Sequence, residues 1–345
     1  MSVFQTERLR SFAAAQIATP TIPDALRVRP LARSLESAVA LVSAAGGDGR
    51  PLQGLRPFVA KQLRGPLQRE IGVYRWLDAQ GLDLQPRLLG SEAVAADESY
   101  LYLEFIRRAG AWPWRDPQQA IRVVQALARL HGAQSAPPQE LSPQREDELH
   151  QSALATLHTV EGVAARCDWL RPHLRHLRRI VDALPDVRCE LLERESVLIH
   201  GDVHSGNVQL VRRAGHDRVV LVDWARARIG HGLEDVSSWL LSLGFWVPGA
   251  RQRHDTLLAA YVAARGGAPG LTPALRRLYW LAGACNALGG ALRYHAWIAD
   301  PLTASSPRRR ADAARAAADW LRVIRRAEAY WQGHGRPRGW STNCD

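Results

Sequence analysis

The stretch from Ser196 to Asp235, SVLIHGDVHSGNVQLVRRAGHDRVVLVDWARARIGHGLED, constrains the fold more than any other part of the chain. A short apolar run, Val197 to Ile199, ends in a polar loop from His200 to Asn207. Two further runs follow, Val208 to Val211 and Val219 to Val222, parted by Ala214, Gly215, His216 and Asp217, and this pattern predicts a β-hairpin. The loop then sits at one end of a small sheet, and Asp223 reaches the same end as the hairpin closes. That arrangement gathers Asp202, Asn207 and Asp223. Two carboxylates and an amide oxygen are hard donors suited to Mg²⁺, which takes few carboxylates and fills its shell with water and phosphate. Any one of these residues could belong to an ordinary polar loop with an Asx turn. The three together, with strands interleaved, are better explained as one site.

The offsets match a known series. Asn207 follows Asp202 by five positions, and Asp223 follows the second hairpin strand, as in the protein-kinase order of HRD, Asn and DFG. Here His200, Gly201, Asp202 replace HRD, and Asp223, Trp224, Ala225 replace DFG. In this form, HGDxHxxN followed by a hydrophobic strand and D(W/F), the chain resembles the aminoglycoside phosphotransferase and choline kinase-like family. The segment LARLHG, ending at Gly132, also resembles that family, in which its histidine, here His131, is mainly structural.

At 345 residues the chain has room for one large or two modest domains. Its 46% hydrophobic and 23% charged residues describe a globular protein rather than a disordered one. Cys167, Cys189, Cys285 and Cys344 lack metal or redox spacing, so neither a disulfide nor a zinc site is expected. The N-terminus is charged where a signal peptide needs an apolar core, which predicts a cytoplasmic protein. The most apolar run, Leu278 to Leu292, stops at Arg293, short of the roughly 20 residues of a membrane span. Net charge is +11. Arginines are spread over nearly every segment, so a solvated basic surface is expected rather than a nucleic-acid site.

Of the 45 basic residues, one is lysine: Lys61, in the strand-like run Phe58 to Lys61. A helix after Pro66 and before Gly81 carries an apolar stripe of Leu67, Ile71, Tyr74 and Leu77, and Glu70 falls on the same side. An inward carboxylate is costly unless paired. Lys61 is its expected partner, as in the kinase pair of strand lysine and helix glutamate, with Arg64 or Arg69 the alternative partners.

Earlier strands are expected at Leu26 to Arg33 and Ala38 to Ser43. Between them Ala32, Ser34 and Ser37 stand at the glycine positions of the kinase phosphate loop, with Val39 at its valine. Ser34 and Ser37 are thus candidates for phosphate contact, in a turn that also holds acidic Glu36. Gly46, Gly47, Asp48 and Gly49 predict a separate turn. Further strands at Arg87 to Val94 and Ser99 to Ile106 lead into the segment that the resemblance identifies as the adenine-reading hinge, with Glu104 and Ile106 as candidate backbone contacts.

The remainder reads as helices. They are expected at residues 117–131, 143–166, 170–184, 234–244, 250–265, 273–299 and 308–332. The tail after Gly333 is expected to be poorly ordered.

The expected fold class is α+β, a two-lobed protein-kinase-like fold. Residues 1–106 would form an antiparallel sheet with one main helix that binds nucleotide, and residues 107–345 a larger, mostly helical catalytic lobe. The resemblance implies transfer of a γ-phosphoryl group from ATP, with GTP an alternative donor, to a hydroxyl of a small molecule. Asp202 would be the base. Asn207 and Asp223 would hold Mg²⁺, and Lys61 would fix the phosphates. His200 and Asp235 would brace the loop, and His204 would either do the same or approach the phosphoryl group. The acceptor would be of aminoglycoside, sugar or amino-alcohol type, with Glu140, Glu146, Asp147, Glu148 and Glu234 as candidate acidic contacts. A nucleotide-binding module without turnover is the alternative function.

Overall fold

The computed structural model describes residues 6–17, 26–34, 36–44, 55–107, 111–133, 135–138, 141, 146–213, 215–268 and 270–333. The expected turn at Gly46 to Gly49, the tail after Gly333 and Glu140 lie outside them. Along the chain run α1 (Thr6–Ile17), β1 (Leu26–Arg33), β2 (Ser37–Ala44), β3 (Phe58–Arg64), α2 (Arg69–Ala79), β4 (Leu88–Ala95) and β5 (Glu98–Glu104). There follow α3 (Pro117–His131), α4 (Glu146–Ala164), α5 (Leu174–Arg194), β6 (Val197–Ile199), β7 (Val208–Arg213), β8 (His216–Leu221) and β9 (Arg228–Gly230). The chain continues through α6 (Gly232–Trp246), α7 (His254–Ala264), α8 (Pro273–Asn286), α9 (Leu292–Ala299) and α10 (Pro307–Gly333). Two compact units result: Met1–Gly110 with Gln209–Ala225, and Ala111–Val208 with Arg226–Asp345.

The first unit is built on a five-stranded antiparallel sheet in the order β1-β2-β3-β5-β4. Alternation along β2 buries Ala38, Ala40, Val42 and Ala44 on one face. Phe58, Ala60, Tyr100 and Tyr102 join that face, and α1 adds Leu9 and Ala13 to the same cluster. Phe12 stacks on Tyr102 with ring centroids 3.8 Å apart. The opposite parity of β3 then carries Lys61, paired across the ladder with Val39 and Leu101. The hairpin β7-β8 belongs to this unit through the Leu221 amide, which donates to the Leu84 carbonyl at 2.7 Å.

Pro66 lies in a 3-10 turn, Gly65–Gln68, ahead of α2 rather than at its first position. Gly65 enters that turn with φ of 53°, a conformation suited to glycine. The buried face of α2 is Glu70, Val73, Tyr74 and Leu77, so Val73 joins the expected Leu77 in the core while Leu67 and Ile71 are only partly buried.

In the second unit α3 starts as its sequence dictates, with the Asp116 carboxylate accepting from the Gln118 amide at 2.9 Å. The helix expected at 170–184 starts later and runs ten residues longer, to Arg194, across Pro185. A buried stripe of Leu177, Ile180, Val181, Leu184, Val187 and Leu191 continues past the proline. That burial offsets the roughly 3 kcal/mol an interior proline costs. The helix expected over 273–299 is interrupted by a π segment, Ala287–Ala291, in which Gly290 has φ of 132°. Thr156 on α4 donates to the Leu288 carbonyl there at 3.0 Å, satisfying an acceptor the kink releases.

Two expectations are corrected. The run Val197 to Ile199 does not join the hairpin sheet; β6 pairs with β9, Ile199 opposite Arg228, in a separate two-stranded ladder. A three-residue strand has no hydrophobic alternation from which its partner could be read. Cys189 is disulfide-bonded, while Cys167 and Cys285 are free. Bridging depends on Cα separation in space, which sequence spacing does not report. Among the described residues no helix is long and apolar enough to cross a membrane.

Candidate active site

In the first unit, β3 and α2 bring the lone lysine onto the inward carboxylate. Lys61 Nζ lies 3.0 Å from Glu70 Oε1 and 2.7 Å from Oε2. Glu70 is fully buried and Lys61 nearly so. The ammonium also donates to Asp223 Oδ1 at 2.6 Å. The stretch after β8 is fixed to the same carboxylate, since the Trp224 amide donates to Glu70 Oε1 at 3.1 Å. Trp224 itself is buried, its indole N–H bound to the Leu221 carbonyl at 3.0 Å. Asp223 adopts φ of 67°, an uncommon left-handed conformation for a non-glycine residue that aspartate tolerates better than most.

One ammonium thus serves two carboxylates. Burial opposes the charge on Lys61, but Glu70 and Asp223 outweigh it and raise its pKa. Burial pushes Glu70 up as well; Lys61 and the Trp224 amide pull it down without cancelling the rise, and Asp223 adds to it. The cluster sets two carboxylates against one ammonium, and the half-exposed Asp223 is the one open to a further cation.

In the second unit, β6 leads into the loop His200–Asn207. Asp235, on the first turn of α6, is buried and accepts from the His200 amide at 2.7 Å and the Gly201 amide at 2.9 Å. His131 Nε2 donates to the same carboxylate at 3.1 Å, and His131 Nδ1 pairs with the Tyr261 hydroxyl at 2.9 Å. Burial would push Asp235 up, but the His131 hydrogen bond and charge, together with His200, hold it below the ordinary aspartate value. Gly201 has φ of 75°, and a Cβ there would collide with the Arg226 carbonyl and the Arg228 guanidinium, so only glycine fits.

The Asp202 amide donates to His200 Nδ1 at 3.3 Å. Asn207 Nδ2 donates to the Asp202 carbonyl at 3.1 Å, which leaves its oxygen as the metal-type donor. His204 Nδ1 accepts from the Gly206 amide at 3.0 Å, and its Nε2 stands 4.0 Å from Asp202 Oδ2. Ser242 on α6 receives the Ser205 amide at 3.0 Å. That contact joins residues 37 positions apart, and no local pattern signals it.

The structure therefore brings together Lys61, Glu70 and Asp223 in one unit, and His200, Asp202, His204, Asn207 and Asp235 in the other. Ser34 and Ser37 are spent on their own turn: the Glu36 and Ser37 amides donate to Ser34 Oγ at 3.2 and 2.9 Å, and the Ser34 amide to the Ser37 carbonyl at 2.7 Å. Glu104 closes β4 against β5, its amide donating to the Arg87 carbonyl at 2.9 Å. Ile106 lies just beyond β5 and is half-buried. Of the candidate acidic contacts, Glu234 is buried and bound to Arg228 at 2.6 Å, so it is not an exposed acidic group. Glu148 is exposed.

The model of the phosphotransferase enzyme family matches residues 10–281, most of the chain. The chain belongs to that family. Solved structures agree at the level of fold. A choline kinase from Cryptosporidium parvum Iowa II superposes with a TM-score of 0.61 at 10% identity, covering 95% of this chain and 97% of that one. Spectinomycin phosphotransferase, in complex with ADP and spectinomycin, gives a TM-score of 0.58 at 11% identity, covering 96% and 100%. Amicoumacin kinase, in complex with AMP-PNP and Ca²⁺, gives 0.59 at 15% identity, covering 94% of each chain. No curated protein sequence matches. The fold is protein-kinase-like, and at the family level the chain is a small-molecule phosphotransferase.

Proposed function

We propose that this member of the family transfers the γ-phosphoryl group of ATP to a hydroxyl of a small molecule. The observation that carries the reading is the Lys61, Glu70 and Asp223 cluster, in which the only lysine of the sequence is buried between two carboxylates. Its charge excess and the carboxylate oxygens of Asp223 suit a hard divalent cation, and the family resemblance gives Asp223 and Asn207 each the part of a metal ligand. The Asp223 side chain is 53% exposed, so a cation and its phosphates can reach it. Bound there, Mg²⁺ would neutralise phosphate charge.

Lys61, held by Glu70, contacts the phosphates as a compact charge. Asp223, here paired with Lys61, would be the carboxylate that holds the metal. Asp202 orients the acceptor hydroxyl and takes its proton, from a loop that Asp235 fixes through two amides. Phosphoryl transfer asks for this positioning and charge more than for covalent chemistry. A short path supports a small acceptor: between Asp223 and α6 stand only the 3-10 turn Trp224–Arg226 and β9, with no long segment to dock a peptide.

The amides spent within the Ser34 turn favour a second reading, nucleotide binding without turnover. Magnesium-dependent ADP formation, assayed across amino alcohols, sugars and aminoglycosides, separates the two. Acceptor-dependent ADP release supports transfer. Nucleotide binding with no product from any acceptor supports the second reading.

A further inference from the structure

Arg228 stands apart from the residues that the phosphotransfer reading uses, yet it touches the catalytic loop. It opens β9, opposite Ile199, the last residue before that loop. Its Nη1 packs so closely over Gly201 that a Cβ at that position would collide with it. On its other side Nη2 donates to Glu234 Oε2 at 2.6 Å, and Glu234 is 1% exposed. Glu234 is itself fixed: its Oε1 accepts from the His231 amide at 3.0 Å, and its carbonyl accepts from Asn286 Nδ2 at 2.6 Å. Arg188 on α5, 4% exposed, faces the same carboxylate with Nη1 3.7 Å from Oε1. It is not among the atoms nearest to where a Cβ at Gly201 would stand.

We propose that Arg228, locked by Glu234, is a positioning residue that holds the left-handed turn at Gly201 and thereby aims Asp202. Asp235 grips the loop by accepting its amides; Arg228 fills the place where a Cβ at Gly201 would stand. A planar guanidinium anchored at one edge is a rigid surface for this purpose, where a solvated side chain would let the turn relax. The bland reading is that Arg228 serves only as counter-charge to a buried glutamate. The two readings differ in what Arg188 can replace, since Arg188 supplies charge to Glu234 while the guanidinium nearest a Cβ at Gly201 is that of Arg228. The proposal rests on Asp202 handling the acceptor.

The test compares Arg228→Met with Arg188→Met in the full chain. In each variant the other arginine remains to face Glu234, so neither leaves that carboxylate alone. The readouts are amide hydrogen exchange over His200 to Val203, ATP affinity and single-turnover transfer. Arg228→Met is expected to raise exchange there and lower transfer roughly 10- to 100-fold, the scale of a small misplacement of reacting groups. ATP affinity should be unchanged, because Lys61 and Asp223 are untouched. Arg188→Met is expected to leave exchange and transfer at the wild-type level, whatever its melting temperature. Should Arg228→Met fail to fold, Arg228→Lys keeps the pair with Glu234 and is expected to give intermediate exchange and transfer. Wild-type exchange in the Arg228 variants, or the same losses in Arg188→Met, overturns the proposal. If the parent protein transfers phosphate to no acceptor, it is the functional reading that fails, and the exchange comparison still decides the role of Arg228.

Discussion

Lys61 shows how much one side chain can be asked to do. Its ammonium satisfies a fully buried carboxylate and reaches Asp223 at 2.6 Å, within the space of a single nitrogen. Arginine keeps the charge but spreads it over a plane that cannot meet both carboxylates and a phosphate at one point. Lys61→Arg is therefore expected to lose most turnover, about 100-fold or more on the scale of lost electrostatic contacts, while unfolding with nearly wild-type stability. Near-normal turnover would mean that the lysine is an accident of composition. Asp235 yields a pH prediction. Its pKa is lowered in the folded protein, so its stabilisation is fully present above the ordinary value of 3.8 and is lost as pH falls through the lowered folded value. Asp235→Asn should cost stability at neutral pH and flatten the acid limb of the stability profile, read by urea unfolding at a series of pH values. A stability difference that stays constant through the acid range would show that the carboxylate charge is not what matters. Lys61 and Glu70 could be found from composition and helical periodicity. The hold of Asp235 on two loop amides could not, because its partners lie 34 and 35 residues away and the contact leaves no local trace.

At the scale of elements, strands and helices with strong periodicity were readable and their pairings were not. The alternation in β2 and the valine runs of β7 and β8 mark strands by side-chain parity alone. Which ladder β6 joins depends on where the chain returns as β9 after the hairpin, which parity does not encode. The same limit hid the extension of α5 past Pro185, where a buried stripe prevails over a local breaker. The β1-β2 turn makes a prediction of its own. Ser34 Oγ occupies the Glu36 and Ser37 amides that phosphates would otherwise take. Ser34→Gly removes that acceptor and should lower the KM for ATP several-fold with little change in stability, since the turn is exposed and a turn substitution of this kind is worth at most about 1 kcal/mol. A KM unchanged or raised would indicate that these amides never meet the nucleotide.

At the scale of the molecule, the two compact units each carry a coherent part of the chemistry: a charge cluster in one, a braced loop ending in Asp202 and Asn207 in the other. The family and the two-lobed architecture were legible because HGDxHxxN and D(W/F) keep fixed offsets around a hairpin. The acceptor was not, because Glu234, one of the acids that suggested a polycation, is spent on buried arginines. Asp202 is proposed to take the acceptor proton in a magnesium-dependent transfer. Single-turnover transfer with saturating ATP and Mg²⁺, comparing wild type with Asp202→Asn on an acceptor found by screening, tests it most directly. Asparagine keeps the size and the loop contacts but cannot accept a proton, and general-base help is worth about 10² to 10⁴ in rate. The expected result is unchanged ATP binding with transfer slowed at least 100-fold. Transfer at the wild-type rate by a variant that binds ATP normally would contradict the claim.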